Sequence, residues 1–301
     1  MLKCINLKQD CMLRVKRVIR AVKVNMGGNL LNQALPNKHI KYVDPFVLIH
    51  HWSDRLPGKQ HQQELGVGPH PHRGFSPITL ILEGSVHHRD SIGNDHIVKA
   101  GGVQWMNAGR GIIHSERPSK ELARSGGNYN ILQFWLNSPA KSKMNTPVYH
   151  ALQKEEIPKS NSNNKVVVDI ISGQHKGIKG PFSSYTSTKV LIIEMKTGSS
   201  EHIHIPEGFN TLLYHLEGRF TINNFSHSRE KDLVWFEKSR DRKIILTATE
   251  DSKAVLLSGE PINEPIVTYG PFVMNNRTEI MQTLKDSNSG KFGSLLENFS
   301  L

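Results

Sequence analysis

The chain has 301 residues, of which 37% are hydrophobic and 22% are charged, and its formal net charge is +11. This composition excludes a disordered chain and leaves room for two folded domains. No run is apolar enough to cross a membrane, and the scattered lysines and arginines, without interleaved aromatic residues, argue against direct nucleic-acid binding.

The N-terminal stretch Met1–Val24 is basic but has no continuous apolar segment, so it does not resemble a secretory signal. Polar and apolar residues alternate in Leu13–Lys16 and Ala21–Val24, which suits a strand. A natural start at Met12 is the alternative, and it would leave Met1–Cys11 as a disordered tail.

Cysteine usage gives a weak indication of location. Cys4 and Cys11 are the two cysteines of the sequence. They offer neither a disulfide framework nor a thiolate metal site, so a reducing cytoplasm is predicted.

Short strands separated by turn residues dominate the first half of the sequence. Turn signals recur about every eight to twelve residues, and Ser91–Asn94 has the composition of a hairpin turn. The polar loop Leu56–Gly68 runs into the first histidine motif. This pattern is typical of an all-β barrel or sandwich. The predicted strands are Val43–Trp52, Ile78–Gly84, Ser85–Ile97 with its central turn, Val103–Met106, Ile112–Glu116 and Asn130–Asn137.

Two polar stretches, Ser138–Met144 and Glu155–Lys165, separate this half from a second series of strands. We therefore predict an N-terminal domain of residues 1–145 and a C-terminal domain of residues 146–301. The second series consists of Val166–Ile171, Val190–Met195, Thr211–Leu216, Arg219–Ile222, Leu233–Phe236, Lys243–Thr247 and Ala254–Ser258.

One helix is predicted near the C-terminus. Asn276 is a plausible N-cap, and Glu279 follows it by three residues, as in a capping box. Gly290 would end the helix. We expect this helix to pack against a barrel rather than to form a domain of its own.

Two short motifs place metal-binding side chains at alternate positions. His70 and His72 are two residues apart, and so are His114 and Glu116. Residues i and i+2 of a strand point to the same face, so each pair can direct two donor groups at one point. Three imidazoles and one carboxylate from two strands predict a site for a single metal ion.

The remaining histidines need a separate interpretation. The sequence has 16 histidines, so one His-x-His pair could arise by chance. We interpret His50-His51 and His87-His88 as surface or loop residues. A His-Pro-His motif followed by His-x-Glu on another predicted strand is harder to explain without a metal.

A faint internal repeat indicates that the fold occurs twice. Thr79–Gly84 resembles Leu213–Gly218 at an offset of 134 residues. His202-Ile-His204 is a second His-x-His pair, but no His-x-Glu follows it. The same offset carries the four metal candidates to His204, Pro206, Ala248 and Glu250, so half of the ligands are missing. We therefore predict that the C-terminal domain is metal-free.

Four segments of the sequence carry a resemblance to a known family: His70–Phe75, Leu82–Gly84, Gln104–Glu116 and Gly270–Asn275. They resemble the pirin family of the cupin superfamily, and the resemblance extends from about Tyr42 to Gly293. The resemblance implies an all-β bicupin fold: two stacked double-stranded β-barrel (jelly-roll) domains with a short C-terminal helix, and the metal in the N-terminal barrel. The family's four metal ligands fall on His70, His72, His114 and Glu116.

The resemblance also implies one mononuclear metal ion, usually Fe(II), although the donor set would equally fit Mn, Ni, Cu or Zn. Some pirins are similar in activity to quercetin 2,3-dioxygenase, which opens a flavonol ring with dioxygen and releases carbon monoxide. Our first hypothesis is therefore an Fe(II)-dependent dioxygenase of this type, acting on a flavonol or a related aromatic or enolic compound. Glu116 would be the catalytic base that takes the substrate proton. Trp105 and Phe75 either line the substrate pocket or, as we favour, belong to the barrel core.

The chain departs from the family at one point. Many members carry Glu-Thr directly after the His-x-His-Arg-Gly-Phe motif, whereas this sequence has Ser76-Pro77. The missing carboxylate and the missing backbone donor of proline put catalysis in question, but not the ligand set. Arg73 and Arg110 either hold an anionic substrate or, as we favour, make structural ion pairs or face solvent.

The second hypothesis is a non-catalytic, redox-sensitive iron-binding regulator. By the resemblance, eukaryotic pirins are transcriptional co-regulators, and some bacterial relatives bind metabolic enzymes. A protein partner would then bind a surface that changes with the oxidation state of the metal. An enzyme instead needs a metal open to a pocket large enough for a bicyclic ligand.

Overall fold

The computed structural model describes residues 12–224, 226–238 and 243–299, with the backbone alone at residues 226 and 227. The predicted tail Met1–Cys11, with both cysteines, lies outside the described residues. Across the described ranges, no helix has the length and apolar character needed to cross a membrane.

Strands follow one another along most of the chain. Those of the first half are β1 (Val15–Arg20), β2 (Val22–Met26), β3 (Asn29–Leu35), β4 (Phe46–Leu56), β5 (Val67–His72), β6 (Phe75–Glu83), β7 (Ser85–Asp90), β8 (Asp95–Lys99), β9 (Val103–Asn107), β10 (Ile112–Pro118), β11 (Gly127–Asn137) and β12 (Val148–Leu152). Those of the second half are β13 (Lys159–Ser162), β14 (Val166–Ser172), β15 (Gln174–His175), β16 (Ile178–Lys179), β17 (Thr188–Met195), β18 (Ser200–His204), β19 (Asn210–Glu217), β20 (Phe220–Ile222), β21 (Ser226–His227), β22 (Asp232–Phe236), β23 (Lys243–Ala248), β24 (Ser252–Gly259), β25 (Val267–Tyr269) and β26 (Phe272–Met274). The α-helices are α1 (Lys120–Ser125) and α2 (Arg277–Asn288), and short 3₁₀-helices cover Gln62–Glu64, Ala140–Ser142 and Lys154–Glu156.

The chain divides into two compact units. One, here called the histidine barrel, consists of Lys23–Tyr42, Phe46–Glu156 and the described part of Ile262–Leu301. The other, here called the apolar barrel, consists of the described part of Met1–Val22, of Val43–Pro45 and of Ile157–Pro261.

This division differs from the predicted domains 1–145 and 146–301. β1, near the N-terminus, pairs with β22 and so belongs to a sheet of the apolar barrel. The segment after Pro261, which includes α2, belongs to the histidine barrel. Local strand and helix patterns do not reveal which distant sheet a terminal segment joins, because that pairing is long-range.

Each unit has the two sheets of a cupin barrel. In the histidine barrel the strand orders are β12-β9-β6-β11-β4-β3-β2 and β5-β10-β7-β8. In the apolar barrel they are β1-β22-β19-β24-β17-β14-β13 and β18-β23-β20-β21. β6 and β19, which carry the repeated sequence, hold the same position in the two orders. The predicted all-β bicupin fold is confirmed.

The local signals for the C-terminal helix are also confirmed. α2 begins after Asn276, whose side-chain oxygen accepts a hydrogen bond from the backbone N–H of Glu279 at 2.9 Å. The helix ends before Gly290, which has a φ of +76° that favours glycine. Ile280 and Leu284 of the helix pack with Phe272, which fixes the segment in the histidine barrel.

Candidate metal centre

Three of the four predicted ligands converge. His70 and His72 lie on β5, and His114 lies opposite His70 on the antiparallel strand β10. One nitrogen from each ring lies within 4.8 Å of the others. The alternation of side chains along a strand brings the two histidines of β5 to one point, as the spacing predicts.

Backbone carbonyl groups orient two of these rings. Nδ1 of His70 lies 2.8 Å from the oxygen of Gly68, and Nδ1 of His72 lies 3.2 Å from the oxygen of Pro271. A carbonyl oxygen can only accept, so each Nδ1 carries the proton. The lone pair is left on Nε2, the arrangement seen where a second hydrogen bond fixes a metal-binding imidazole.

His114 supplies the clearest sign that the site suits a metal. Its side chain is 1% exposed, and in the described part of the protein its Nε2 has no hydrogen-bond partner. A buried polar atom without a partner costs free energy, which a bound cation would offset. The residues present therefore fit a metal ion held by three imidazoles.

The electrostatics keep these rings neutral. Burial lowers the pKa of His72 and of His114 well below the usual value, and the neighbouring histidines lower it further. Burial also lowers the pKa of His70, although the Gly68 carbonyl and Glu116 oppose this shift. Neutral imidazole is the form that binds metals, so the site needs little proton release to load one.

Glu116 lines the same cavity as His70 and His72 but lies outside the cluster of three histidines. The pairing of β10 with β5 shifts register between His114 and Glu116, which locally changes the direction of the strand. The Glu116 carboxylate accepts hydrogen bonds from the Thr79 hydroxyl at 2.9 Å and from the side-chain amides of Gln133, at 2.7 Å, and Gln104. The histidine cluster does not include it, so its role as fourth ligand stays a prediction.

A cavity of about 280 Å³ opens onto the site within the histidine barrel. Its wall is mostly apolar and aromatic, and the exposed Met26 and Gly270 mark its mouth. Burial lowers the pKa of His50, which lies in the wall, to about 4, so this ring is neutral at pH 7. The lining residues are Met26, Leu31, Leu48, His50, Trp52, Val67, His70, His72, Glu116, Tyr129, Ile131, Gln133, Trp135, Gly270 and Pro271.

The aromatic wall comes from strands other than those the sequence singled out. Trp105 and Phe75 are 4% and 0% exposed and do not line the cavity, in agreement with the favoured core interpretation. Trp52 of β4 and Tyr129 and Trp135 of β11 line it instead. β4 and β11 pair in constant register from Leu56 opposite Gly127 to Leu48 opposite Trp135, so their alternate inward positions form one continuous face.

The two arginines beside the motifs do not line the cavity. Arg73 is 3% exposed, and its guanidinium makes an ion pair with Asp286 at 2.9 Å and a hydrogen bond to the backbone oxygen of Arg110 at 2.7 Å. The Arg110 side chain is exposed. The structural interpretation of both is therefore confirmed.

The interpretation of the paired histidines as surface or loop residues was wrong. His50 and His51 lie in β4, and His87 and His88 lie in β7; all four are 9% exposed or less. Each ring has a polar partner, which makes burial tolerable. For example, His51 Nε2 lies 2.8 Å from Oδ1 of Asn130.

Sequence reasoning also missed two residues behind His114. His88 and Asp90 have the same i, i+2 spacing as the ligand pairs and lie on β7, next to β10. The His-x-Asp spacing at the end of a predicted strand was the signal in the sequence that could have identified this pair. Their partnership with His114 depends on the pairing of two strands that are 22 or more residues apart in sequence.

The two cupin barrels place this protein in the class of bicupin proteins, and one of the barrels carries a triad of convergent histidines. Comparison with known sequences narrows this class. Residues 28–136 match the sequence model of the Pirin family, and residues 190–293 match that of the pirin C-terminal cupin domain. The chain therefore belongs to the pirin family.

Individual relatives agree with this assignment. Pirin-like protein 2 of Arabidopsis thaliana is 35% identical over 286 residues, which cover 93% of this chain and 85% of that protein. Pirin of Homo sapiens is 33% identical over 270 residues, which cover 88% and 89%. A crystal structure of quercetin 2,3-dioxygenase from Acinetobacter baumannii superposes with a TM-score of 0.88 at 33% identity, over 95% of this chain and all of that one.

Proposed function

We propose that this protein is a metal-dependent dioxygenase of the quercetin 2,3-dioxygenase type, acting on a flavonol or a related aromatic or enolic compound. The observation that carries the proposal is the convergence of three neutral imidazoles, of which those of His70 and His72 line an apolar cavity. Similarity to the Acinetobacter baumannii dioxygenase supports the reaction type. Ser76 and Pro77, which replace the family's Glu-Thr, are not among the residues that line the cavity.

His70, His72 and His114 would hold the metal, which we propose is Fe(II). A bound Fe(II) would supply Lewis acidity toward the substrate hydroxyl and electron transfer with dioxygen. A bacterial pirin from Escherichia coli has been solved in complex with nickel(II). The donor set of the present chain would accept nickel, manganese, copper or zinc as well.

Glu116 is the proposed base for the substrate hydroxyl. Its two carboxylate oxygens have about four lone-pair sites, and three donors, from Thr79, Gln104 and Gln133, occupy three of them. One site is therefore left to receive a substrate proton or to bind the metal. The three donors hold the carboxylate at the cavity wall, so that it need not reorient when substrate enters.

The cavity wall would orient a flat substrate. Trp135 lies beside His72, with ring centroids 5.3 Å apart, and stacks obliquely on Phe75. Leu48, Trp52 and Ile131 extend the apolar surface away from the histidines. Such a wall excludes water from the reacting ring and favours an aromatic body over a charged one.

The test is anaerobic reconstitution of the purified full-length protein with Fe(II), followed by oxygen uptake with quercetin. We expect equal amounts of oxygen consumed and carbon monoxide released. Glu116→Gln should bind iron and lose most of this turnover, by about 100-fold or more, because the proton acceptor is removed. His202→Ala, which changes an exposed histidine of the apolar barrel, is the matched control and should keep full activity.

Bound iron without turnover of quercetin or other flavonols would contradict the dioxygenase proposal. It would favour the second hypothesis, a redox-sensitive regulator with a protein partner, which stays a prediction. The cytoplasmic location is likewise a prediction that rests on cysteine usage.

A further inference from the structure

A line of buried polar groups runs away from the candidate metal centre behind His114. His88 is 0% exposed, and its Nδ1 lies 3.5 Å from Nδ1 of His114. On the far side of the same ring, Nε2 lies 3.0 Å from Oδ2 of Asp90. Both side chains of the His88–Asp90 pair are fully buried.

Strand pairing produces this arrangement. β7 is antiparallel to β10, with Asp90 opposite His114 and His88 opposite Glu116. Alternate residues share a face, so the His-x-Asp pair of β7 lies on the same side of the sheet as His114 and Glu116 of β10. Tyr149 stacks on the His88 ring with centroids 3.9 Å apart and planes 9° from parallel, which holds the orientation of that ring.

Hydrogen bonds from the β7–β8 turn fix the Asp90 carboxylate. Its Oδ1 accepts from the backbone N–H groups of Ile92 and Asn94, both at 3.0 Å. Its Oδ2 accepts from the side-chain amide of Asn94 at 2.8 Å and faces His88. The carboxylate therefore cannot turn without breaking several bonds.

The donor and acceptor roles along this line follow from the carboxylate. A carboxylate accepts, so Nε2 of His88 carries a proton; in a neutral imidazole Nδ1 is then an acceptor. Nδ1 of His88 can accept the Nδ1–H of His114. That places the lone pair of His114 on Nε2, the atom without a protein partner in the ranges described.

We propose that His88 and Asp90 are positioning residues that fix the tautomer and ring orientation of His114 for metal binding. They do with side chains what the backbone oxygens of Gly68 and Pro271 do for His70 and His72. The proposal depends on the proposed function only in taking His114 as a metal ligand. Because a side chain rather than a backbone oxygen supports His114, a mutation can remove that support and leave the backbone unchanged.

Asp90→Asn tests the proposal sharply. The two backbone N–H groups hold the amide oxygen at the Oδ1 position, so the new NH₂ replaces Oδ2. It donates one hydrogen to Nε2 of His88 and the other to the Asn94 side chain, whose amide turns to present its oxygen. Nδ1 of His88 then becomes a donor and opposes the Nδ1–H of His114. We expect His114 to move its proton to Nε2 in the metal-free protein, as read by ¹⁵N ring shifts in NMR spectra.

Cobalt(II) supplies a readout that does not depend on turnover. We expect Asp90→Asn to weaken Co(II) binding by about 10- to 100-fold, the range found for groups that support a ligand, and to change the visible absorption spectrum of the bound ion. His88→Phe keeps the stack on Tyr149 but removes the acceptor, so it should also weaken Co(II) binding. Asp95→Asn is the matched control, because Asp95 lies in the same hairpin but pairs with His87 and Arg89.

Thermal unfolding, monitored by circular dichroism, shows which variants are folded. Unchanged Co(II) affinity in folded Asp90→Asn and His88→Phe would overturn the proposal, as would a wild-type protein whose metal-free His114 carries its proton on Nε2. If the variants behave as expected and the iron-loaded wild type does not consume oxygen with flavonols, the dioxygenase proposal fails and this one stands.

Discussion

β5 of the histidine barrel and β18 of the apolar barrel hold equivalent positions in their sheets, and both contain a His-x-His pair. In β5 the side chain of His72 is buried and that of His70 is half-buried. In β18, His202 and His204 are exposed and the isoleucine between them is buried. A shift of one residue exchanges the inward and outward faces of a strand, so the same motif is a donor set in one barrel and a surface in the other.

The next strands extend the comparison. β10 directs His114 and Glu116 toward the interior, whereas the buried residues of β23 are Ile244, Leu246 and Ala248. The interior of the apolar barrel is a continuous hydrophobic cluster that includes Leu191, Leu213, Phe220, Ile203 and Phe236. The strand order alone therefore does not bring donor groups together; which residues of β5 and β10 face the interior decides whether they converge.

Removing one histidine from each His-x-His pair should give the largest difference between the two barrels, and the difference should be in metal affinity. His72→Ala takes away one of three imidazoles, and we expect metal affinity to fall by more than about 100-fold, since loss of a supporting group alone can reach that value. His202→Ala should leave affinity unchanged, because its side chain faces outward. Chelator competition with Co(II) or Zn(II) measures both. A loss of metal affinity in His202→Ala would contradict the outward orientation of His202 and the assignment of the metal to the histidine barrel.

A matched pair of isoleucines tests the packing of the two interiors. Ile203, 0% exposed, lies in the core of the apolar barrel, whereas Ile131, 6% exposed, lies at the cavity wall. Ile203→Ala should lower the free energy of unfolding by about 4 kcal/mol, and Ile131→Ala by about 2 kcal/mol, because a site beside an existing cavity loses fewer contacts. Urea unfolding measures both values. Equal losses would show that the cavity wall is packed as tightly as the apolar core.

Each barrel also contains a buried lysine, and these should make stability depend on pH. Burial lowers the pKa of Lys143 to about 7 and that of Lys189 to about 8. Both folded-state values lie below the unfolded value of about 10.4, so above pH 7 the unfolded chain binds more protons. The free energy of unfolding should therefore rise with pH, and Lys143 should contribute about 1 kcal/mol of the rise between pH 7.5 and 8.5.

Lys143→Met checks the origin of that rise. The Lys143 ammonium donates to the oxygens of Gly74 at 2.7 Å, Asn137 at 2.6 Å and Val273 at 3.0 Å. The variant should be less stable at every pH, because these acceptors lose their donor, and its stability should rise less steeply with pH. Urea unfolding at several pH values gives the slopes; identical slopes would exclude Lys143 as the source.

The parts of the site that follow from local spacing could be predicted from the sequence. Alternation along a strand was enough to pair His70 with His72, and capping chemistry was enough to start a helix after Asn276. The cavity wall could not be predicted in this way. Trp52 and Trp135 line one cavity only because β4 pairs with β11 along its length.

The groups that orient the histidine rings were still harder to predict from the sequence. The backbone oxygen of Pro271, which orients His72, lies 199 residues away in the sequence, and nothing in a proline's identity marks its carbonyl as a partner. The buried histidine pairs show the same difficulty. A histidine looks polar in a sequence, and only a partner such as the Gln33 amide oxygen, 2.8 Å from His50 Nε2, makes its burial acceptable.

Removing the hydroxyl group of two tyrosines in the histidine barrel should have the smallest effects on stability, and the two effects should have opposite signs. Tyr129 is 0% exposed, and within the described chain its hydroxyl has no hydrogen-bond partner. Tyr149 donates to the side-chain oxygen of Gln104 at 3.4 Å. Tyr129→Phe removes an unsatisfied polar atom and should raise stability by up to about 1 kcal/mol, whereas Tyr149→Phe should lower it by about as much. These changes correspond to melting-temperature shifts of about 2–4 °C. If Tyr129→Phe lowers the melting temperature, the hydroxyl has a partner in solution, and the cavity wall beside it is more polar than its lining residues indicate.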